Sequence, residues 1–186
     1  GVRRAGDALE RAGYEVEEVS PPLLVESYIA WSELMMADTH ILRPLLETVM
    51  GPEGLRFIDL TNSQFPAPTT ESIFNSHLLR DRVAKAWQAF LFDYPLIVGP
   101  TWTQPPFHLG FDIKDAESAN AVLELFRFVL PANLLGLPAA CVPTGVIDGL
   151  PVGAQIISRR LREDLCLDAA EAVERDLGVV TPIDPR

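Results

Sequence analysis

At 186 residues the chain is long enough for a single domain, spanning residues 1–186, with a substantial buried core. Fifteen basic against 26 acidic residues give a net charge of −11, which argues against non-specific binding to nucleic acid or to an anionic membrane surface, because both require positive charge. An apolar fraction of 48% and a charged fraction of 22% are those of an ordinary globular protein.

Val2, Ala5, Leu9 and Ala12 recur at helical spacing, and Gly13 supplies the stop. Tyr14 to Val19 then alternates as a short strand would, until Pro21-Pro22 ends it. A helix and a strand this early read as the continuation of a pattern, so the chain is expected to be a piece of something larger. Leu24, Tyr28, Trp31, Met35, Leu42 and Val49 mark a long apolar helical stripe, which Pro44 is expected to kink or divide. Gly51-Pro52-Glu53-Gly54 reads as a turn and Asn62 to Thr70 as a loop. Thr69 or Thr70 is placed to cap a helix from Glu71 to Phe92 that buries Leu79, Val83, Trp87 and Phe90, with His77 as a core or interface residue.

Pro95 to Val98 reads as a buried strand, followed by a rigid, amphipathic loop from Gly99 to Phe107. Loops that leave the carboxyl ends of strands are where α/β folds place ligands. Ser118 is expected to cap a helix from Ala119 to about Leu130. Leu137 to Pro143 and Leu150 to Ile157 read as two short apolar strands, paired antiparallel around an eight-residue connection from Thr144 to Pro151. Leu161, Leu165, Ala169, Ala172, Val173 and Leu177 then form the stripe of a closing helix, stopped by Gly178, and the tail TPIDPR reads as loop.

The residues able to do chemistry are sparse. Cys141 and Cys166 are the only cysteines, and two buried or half-buried thiols suit a reducing, cytoplasmic compartment. His40, His77 and His108 are scattered without the spacing of a zinc site. The uncharged run from Phe128 to Ile147 is interrupted by Pro131, Pro138 and Pro143, so it reads as buried structure and not as a membrane span.

The segment Asn133-x-x-Gly136-Leu137-Pro138-Ala139, then Pro143-x-Gly145, then Gly149-Leu150-Pro151-Val152-Gly153-x-Gln155 resembles the C-terminal part of amidase signature family enzymes. Glu163, Leu165, Ala169 and Glu174 resemble the helix that follows in that family, and Leu9-x-x-x-Gly13-x-x-Val16 and Leu96 to Thr101 also fit. The resemblance implies an α/β fold, part of a mixed β-sheet flanked by helices, and hydrolysis of carboxamide C–N bonds. It implies a small-molecule amide as substrate of the full-length enzyme. No cofactor or metal is expected, and the charge and spacing above lead to no expected nucleic-acid or membrane partner. Family members use a serine nucleophile, a second serine joined by a cis peptide bond, and a lysine base. The only lysines here are Lys85 and Lys114, no two serines are adjacent, and no GxSxG occurs. No catalytic residue therefore carries over, and the chain is expected to be the C-terminal portion of an amidase, inactive alone.

Pro95 stands where relatives often have Asp. Phe126 stands about where glutamine-using relatives place an acidic residue for the substrate's amino group, so a more apolar substrate is expected. Trp102 and Phe107 are candidate walls of an acyl pocket, with Thr101 offering a hydroxyl, and Phe126 is a further candidate substrate-binding residue. Asn133 is expected to fix the backbone between helix and strand, and Gln155 to satisfy backbone or face outward. Two other readings stand beside this one. The first is a noncatalytic binding or assembly module that could pair as a homodimer. The second is a hydrolase built on Cys141 and a histidine, although an apolar strand disfavours a thiolate.

Overall fold

The computed structural model describes residues 1–178. Helices α1 (Val2–Arg11), α2 (Leu24–Ile41), α3 (Arg43–Val49), α4 (Pro52–Asn62) and α5 (Thr70–Asp93) precede strand β1 (Leu96–Gly99). Helices α6 (Ala116–Leu125) and α7 (Leu130–Leu135), the strands β2 (Ala139–Ile147) and β3 (Leu150–Ser158), and helix α8 (Glu163–Leu177) follow. The sheet runs β1-β3-β2, and both pairings are antiparallel.

Alternation along β3 sends neighbouring side chains to opposite faces, and both faces are covered. Ala154 and Ile156, with Val142 of β2, meet Ala5, Ala8 and Leu9 of α1 and Ala169 and Val173 of α8. On the other side Ile97 and Leu137 pack against a second core, in which Ala30 of α2, Val83, Trp87 and Leu91 of α5, and Leu134 and Leu135 of α7 are buried. The α/β expectation holds, with helices on both faces of the sheet.

The long stripe divides where Pro44 predicted: α2 ends at Ile41 and Pro44 lies in the first turn of α3. Leu42 and Val49 do not belong to the buried face and stand 46% and 71% exposed. The helix expected from Glu71 to Phe92 is α5. Its cap is Thr69, whose hydroxyl accepts from the Ser72 amide while Ser72 Oγ accepts from the Thr69 amide, a reciprocal capping box. His77, expected in a core or interface, is exposed on this helix.

Several elements differ from the sequence reading. Tyr14 to Val19 forms no strand: it pairs with nothing, and Glu15, Val16, Glu17, Glu18 and Val19 all stand exposed. Alternation yields a strand only where a sheet edge accepts it. Gly51-Pro52 opens a helix instead of a turn, since Pro in a first turn forfeits an amide that has no helical partner anyway. Helix α6 begins three residues before the expected start, because the Asp115 carboxylate, held below the usual carboxylate range chiefly by the Ser118 amide, is the cap. It also stops at Leu125, and the separate helix α7 ends at Gly136 in the left-handed conformation.

The hairpin is antiparallel as expected, but its connection is a two-residue turn. Ile147 pairs with Leu150, and Asp148 and Gly149 both have positive φ, at 50° and 79°, as a tight hairpin turn requires. Thr144 hid this. It is buried, its hydroxyl donates to Val152 O at 3.2 Å, and the register shifts between Pro143 and Gly145. A bulge within one strand therefore read as its end. Leu161, expected on the closing stripe, precedes α8 and is 86% exposed. Cys166 is buried as expected, whereas Cys141 is exposed. The tail TPIDPR lies outside the described residues.

Ile156 is fully buried between α1, α8 and the sheet. Ile156→Ala should lower unfolding free energy by about 2–5 kcal/mol, whereas Val146→Ala, at a position 53% exposed, should change it by less than about 0.5 kcal/mol. Urea unfolding of both variants checks the placement of the core.

Candidate functional site

Gln155 lies in the middle of β3, opposite Gly99 of β1 and Cys141 of β2, and is 2% exposed. A buried primary amide needs partners for its N–H groups. Gln155 Nε2 donates to Phe128 O at 2.6 Å and to Pro100 O at 3.3 Å. One side chain thereby ties the loop leaving β1 and the turn between α6 and α7 to the sheet. Of the two roles open to Gln155 in the sequence, satisfying backbone is the one it performs.

The two tethered segments meet through aromatic rings. Trp102 packs edge-on against Phe126 at a centroid distance of 4.7 Å and an interplanar angle of 85°. Phe107 lies 6.0 Å from Trp102 and 5.7 Å from Phe111. These are attractive tilted and edge-to-face geometries. Thr101 is half-buried at the start of this row.

Asn133 is exposed on α7, and its Oδ1 accepts the indole N–H of Trp31 at 2.7 Å. It ties α7 to α2 and does not bridge helix to strand as expected. Helix α7 is positioned instead by arginines at its C-terminal end: Arg80 Nε donates to Leu134 O at 3.1 Å, and Arg160 donates to Leu135 O at 2.9 and 2.6 Å. Those carbonyls have no helical partner, and cations suit the negative end of a helix.

A cavity of about 480 Å³ opens among these elements, lined by Trp31, Phe126, Leu130, Asn133, Leu137 and Gln155 with small apolar neighbours. None of its lining side chains is ionisable. Of the five predicted site residues, Phe126 and Asn133 line it. Trp102 backs Phe126, Phe107 backs Trp102, and Thr101 is one residue removed. Trp31 was missed as a site residue because its partner lies 102 residues away, a pairing that no periodicity signals. A second cavity of about 300 Å³ also includes Trp31 and Asn133 and adds Asp38, His77 and Arg80.

Among the described residues no serine hydroxyl is hydrogen-bonded to a lysine or a histidine. The hydroxyls of buried Ser27 and Ser158 donate to the carbonyls of Leu23 and Pro95. Ser76 donates to Ser72 O and contacts the Glu33 carboxylate. Lys85 and Lys114 are both exposed on the surface. Among the described residues no group of three His, Cys, Asp or Glu is placed to hold a metal, and no helix is long and apolar enough to cross a membrane. Cys141 is accessible, but partial desolvation by its neighbours pushes its thiol pKa up, away from what a nucleophile needs.

A family model described as Amidase matches residues 1–167. Indoleacetamide hydrolase of Bradyrhizobium diazoefficiens is 34% identical over 186 residues, covering 96% of this chain and 34% of that protein. A glutamyl-tRNA(Gln) amidotransferase subunit of Lactobacillus gasseri is 35% identical over 201 residues, covering 94% of this chain and 41% of its own length. Among solved structures, 6-aminohexanoate cyclic dimer hydrolase matches the fold with a TM-score of 0.70 and 22% identity, over 96% of this chain and 41% of that one. The glutamyl-tRNA(Gln) amidotransferase subunit of Thermotoga maritima matches with a TM-score of 0.68 and 27% identity, over 95% and 38%. The chain thus spans between a third and about two fifths of the length of these curated relatives.

Replacing Gln155 by Leu strands two part-buried carbonyls and should cost about 1–3 kcal/mol, with loss of the near-ultraviolet dichroism that Trp102 gains from Phe126. Gln155→Glu, which aims a carboxylate at the same carbonyls, should destabilise more at neutral pH. Iodoacetamide should label Cys141 at neutral pH no faster than it labels an unperturbed thiol, since a raised pKa leaves less thiolate.

Proposed function

The chain belongs to the amidase family, and on that premise we propose that it supplies the scaffold and one wall of the substrate pocket of an enzyme that hydrolyses the C–N bond of a small, neutral carboxamide. The observation that carries this reading is the cavity of about 480 Å³ lined by Trp31, Phe126, Leu130 and Leu137 without an ionisable side chain. An apolar cavity with a few convergent polar groups is the usual form of a small-molecule site.

The acyl part of the substrate lies against Phe126 and Leu130, and Asn133 offers its amide to the substrate's carbonyl. Trp102 and Phe107 hold Phe126 in place from behind, with the Thr101 hydroxyl close to their loop. A substrate bearing an ammonium group would find no anion in this cavity to pair with, and its desolvation would go uncompensated. That favours a neutral, aryl-bearing amide, in keeping with a relative named indoleacetamide hydrolase, over an amino-acid amide such as glutamine. The serine nucleophile and lysine base come from outside these 186 residues, so this chain alone is inactive. Its place is the cytoplasm, where its two thiols stay reduced.

A second reading, an assembly module that pairs with another copy of itself, is favoured by Ile41, Leu42, Leu45 and Val49, which stand exposed around the α2–α3 junction. A monomer by light scattering at high micromolar concentration would remove it.

The purified chain should bind phenylacetamide and release no ammonia from it. Phe126→Asp should weaken that binding by about tenfold or more, because burial of a phenyl ring contributes on the order of 1.5–3 kcal/mol. Serine-dependent turnover, or tighter binding of glutamine than of phenylacetamide by the unmodified chain, would overturn the proposal.

A further inference from the structure

The two cavities share two lining residues, Trp31 and Asn133, and those two are joined by the 2.7 Å bond from the indole N–H to Asn133 Oδ1. The compartments that meet there differ in chemistry. The larger has no ionisable lining residue, and the smaller has Asp38, His77 and Arg80. We infer that the Trp31–Asn133 pair is a latched partition that sets the depth of the apolar cavity, making Trp31 the residue that restricts its ligands to compact acyl groups. The inference rests on the reading of that cavity as the acyl pocket.

Each partner is held from elsewhere. The indole packs against the core formed by Ala30, Leu134 and Leu135, and α7, which carries Asn133, is fixed through the arginine contacts at its C-terminal carbonyls. The latch thus joins two anchored elements, α2 and α7. An indole is large enough to close a passage by bulk alone, and its bond to Asn133 selects the closed rotamer. With the ring in place, a chain that outgrows the apolar compartment meets the indole. Without it, the chain runs on toward Arg80 and His77.

The test is a length ladder of neutral ligands binding to the 186-residue chain, read by calorimetry or ligand-observed NMR. The amides are phenylacetamide, 4-phenylbutanamide and 6-phenylhexanamide, and the matched hydrocarbons toluene, butylbenzene and hexylbenzene carry no amide. The wild type should favour the shortest member. Trp31→Ala should raise the ratio of long-ligand to short-ligand affinity by about tenfold or more, the discrimination that a methylene or two commands in an apolar pocket. Trp31→Leu, which keeps more of the core packing, should shift the ratio the same way should the alanine variant prove unfolded by circular dichroism. Asn133→Leu, which leaves the ring and removes its latch, should give a smaller shift in that direction. An unchanged ratio in both ladders for the folded variants, or no binding of any member, overturns the partition. A shift in the hydrocarbon ladder, with amides binding no better than their hydrocarbon counterparts, upholds the partition and counts against the amide reading of the pocket.

Discussion

The structure depends most on the amide of Gln155. A strand interior can bury an uncharged polar group at little cost only if that group finds partners, and in a low-dielectric setting satisfied hydrogen bonds are strong and specific. Both donors of Nε2 are used, on Phe128 O and Pro100 O, and those carbonyls belong to segments without a sheet or helix partner for them. The loop after β1 and the turn between α6 and α7 are thereby brought to a common point. Trp102 meets Phe126 because the chain around each is anchored to the same side chain. The apolar cavity inherits that arrangement, with Phe126 on its wall and Gln155 at its edge.

A second set of constraints acts on α7. Its six residues make a helix too short to persist by propensity, and its last carbonyls would be orphaned. Arg80 from α5 and Arg160 beyond β3 supply the missing donors, and Gly136 turns the chain in the left-handed conformation before β2. Ion pairs elsewhere, such as Arg11–Asp176 and Arg175–Glu171, lie at the surface and contribute little to stability. The arginines that matter for the site are those bound to backbone.

Local signals in the sequence were legible and pairings across the chain were not. Thr69 with Ser72, Pro44 between α2 and α3, and Gly178 after α8 act within a turn of where they stand, so spacing revealed them. The family fingerprint from Asn133 to Gln155 likewise marked a real hairpin and a real relationship. Misreadings arose where one local signal had two structural uses. Gly-Pro at 51–52 opens a helix, Thr144-Gly145 is a bulge and not a strand end, and the alternation from Tyr14 to Val19 has no sheet edge to join. Of the site, the sequence named Phe126, Asn133 and the aromatic loop. It could not show that Trp102 and Phe107 stand behind the cavity wall, or that Trp31 forms part of it, because those relations are made by packing between distant segments.

The most direct measurement is heteronuclear NMR of the Gln155 side-chain amide in the unliganded chain. A slowly exchanging amide with hydrogen-bond scalar couplings from its two protons to the carbonyl carbons of Phe128 and Pro100 is expected. An amide that exchanges with solvent as fast as an exposed glutamine, with no coupling to either carbonyl, would contradict the claim that this side chain holds the site together.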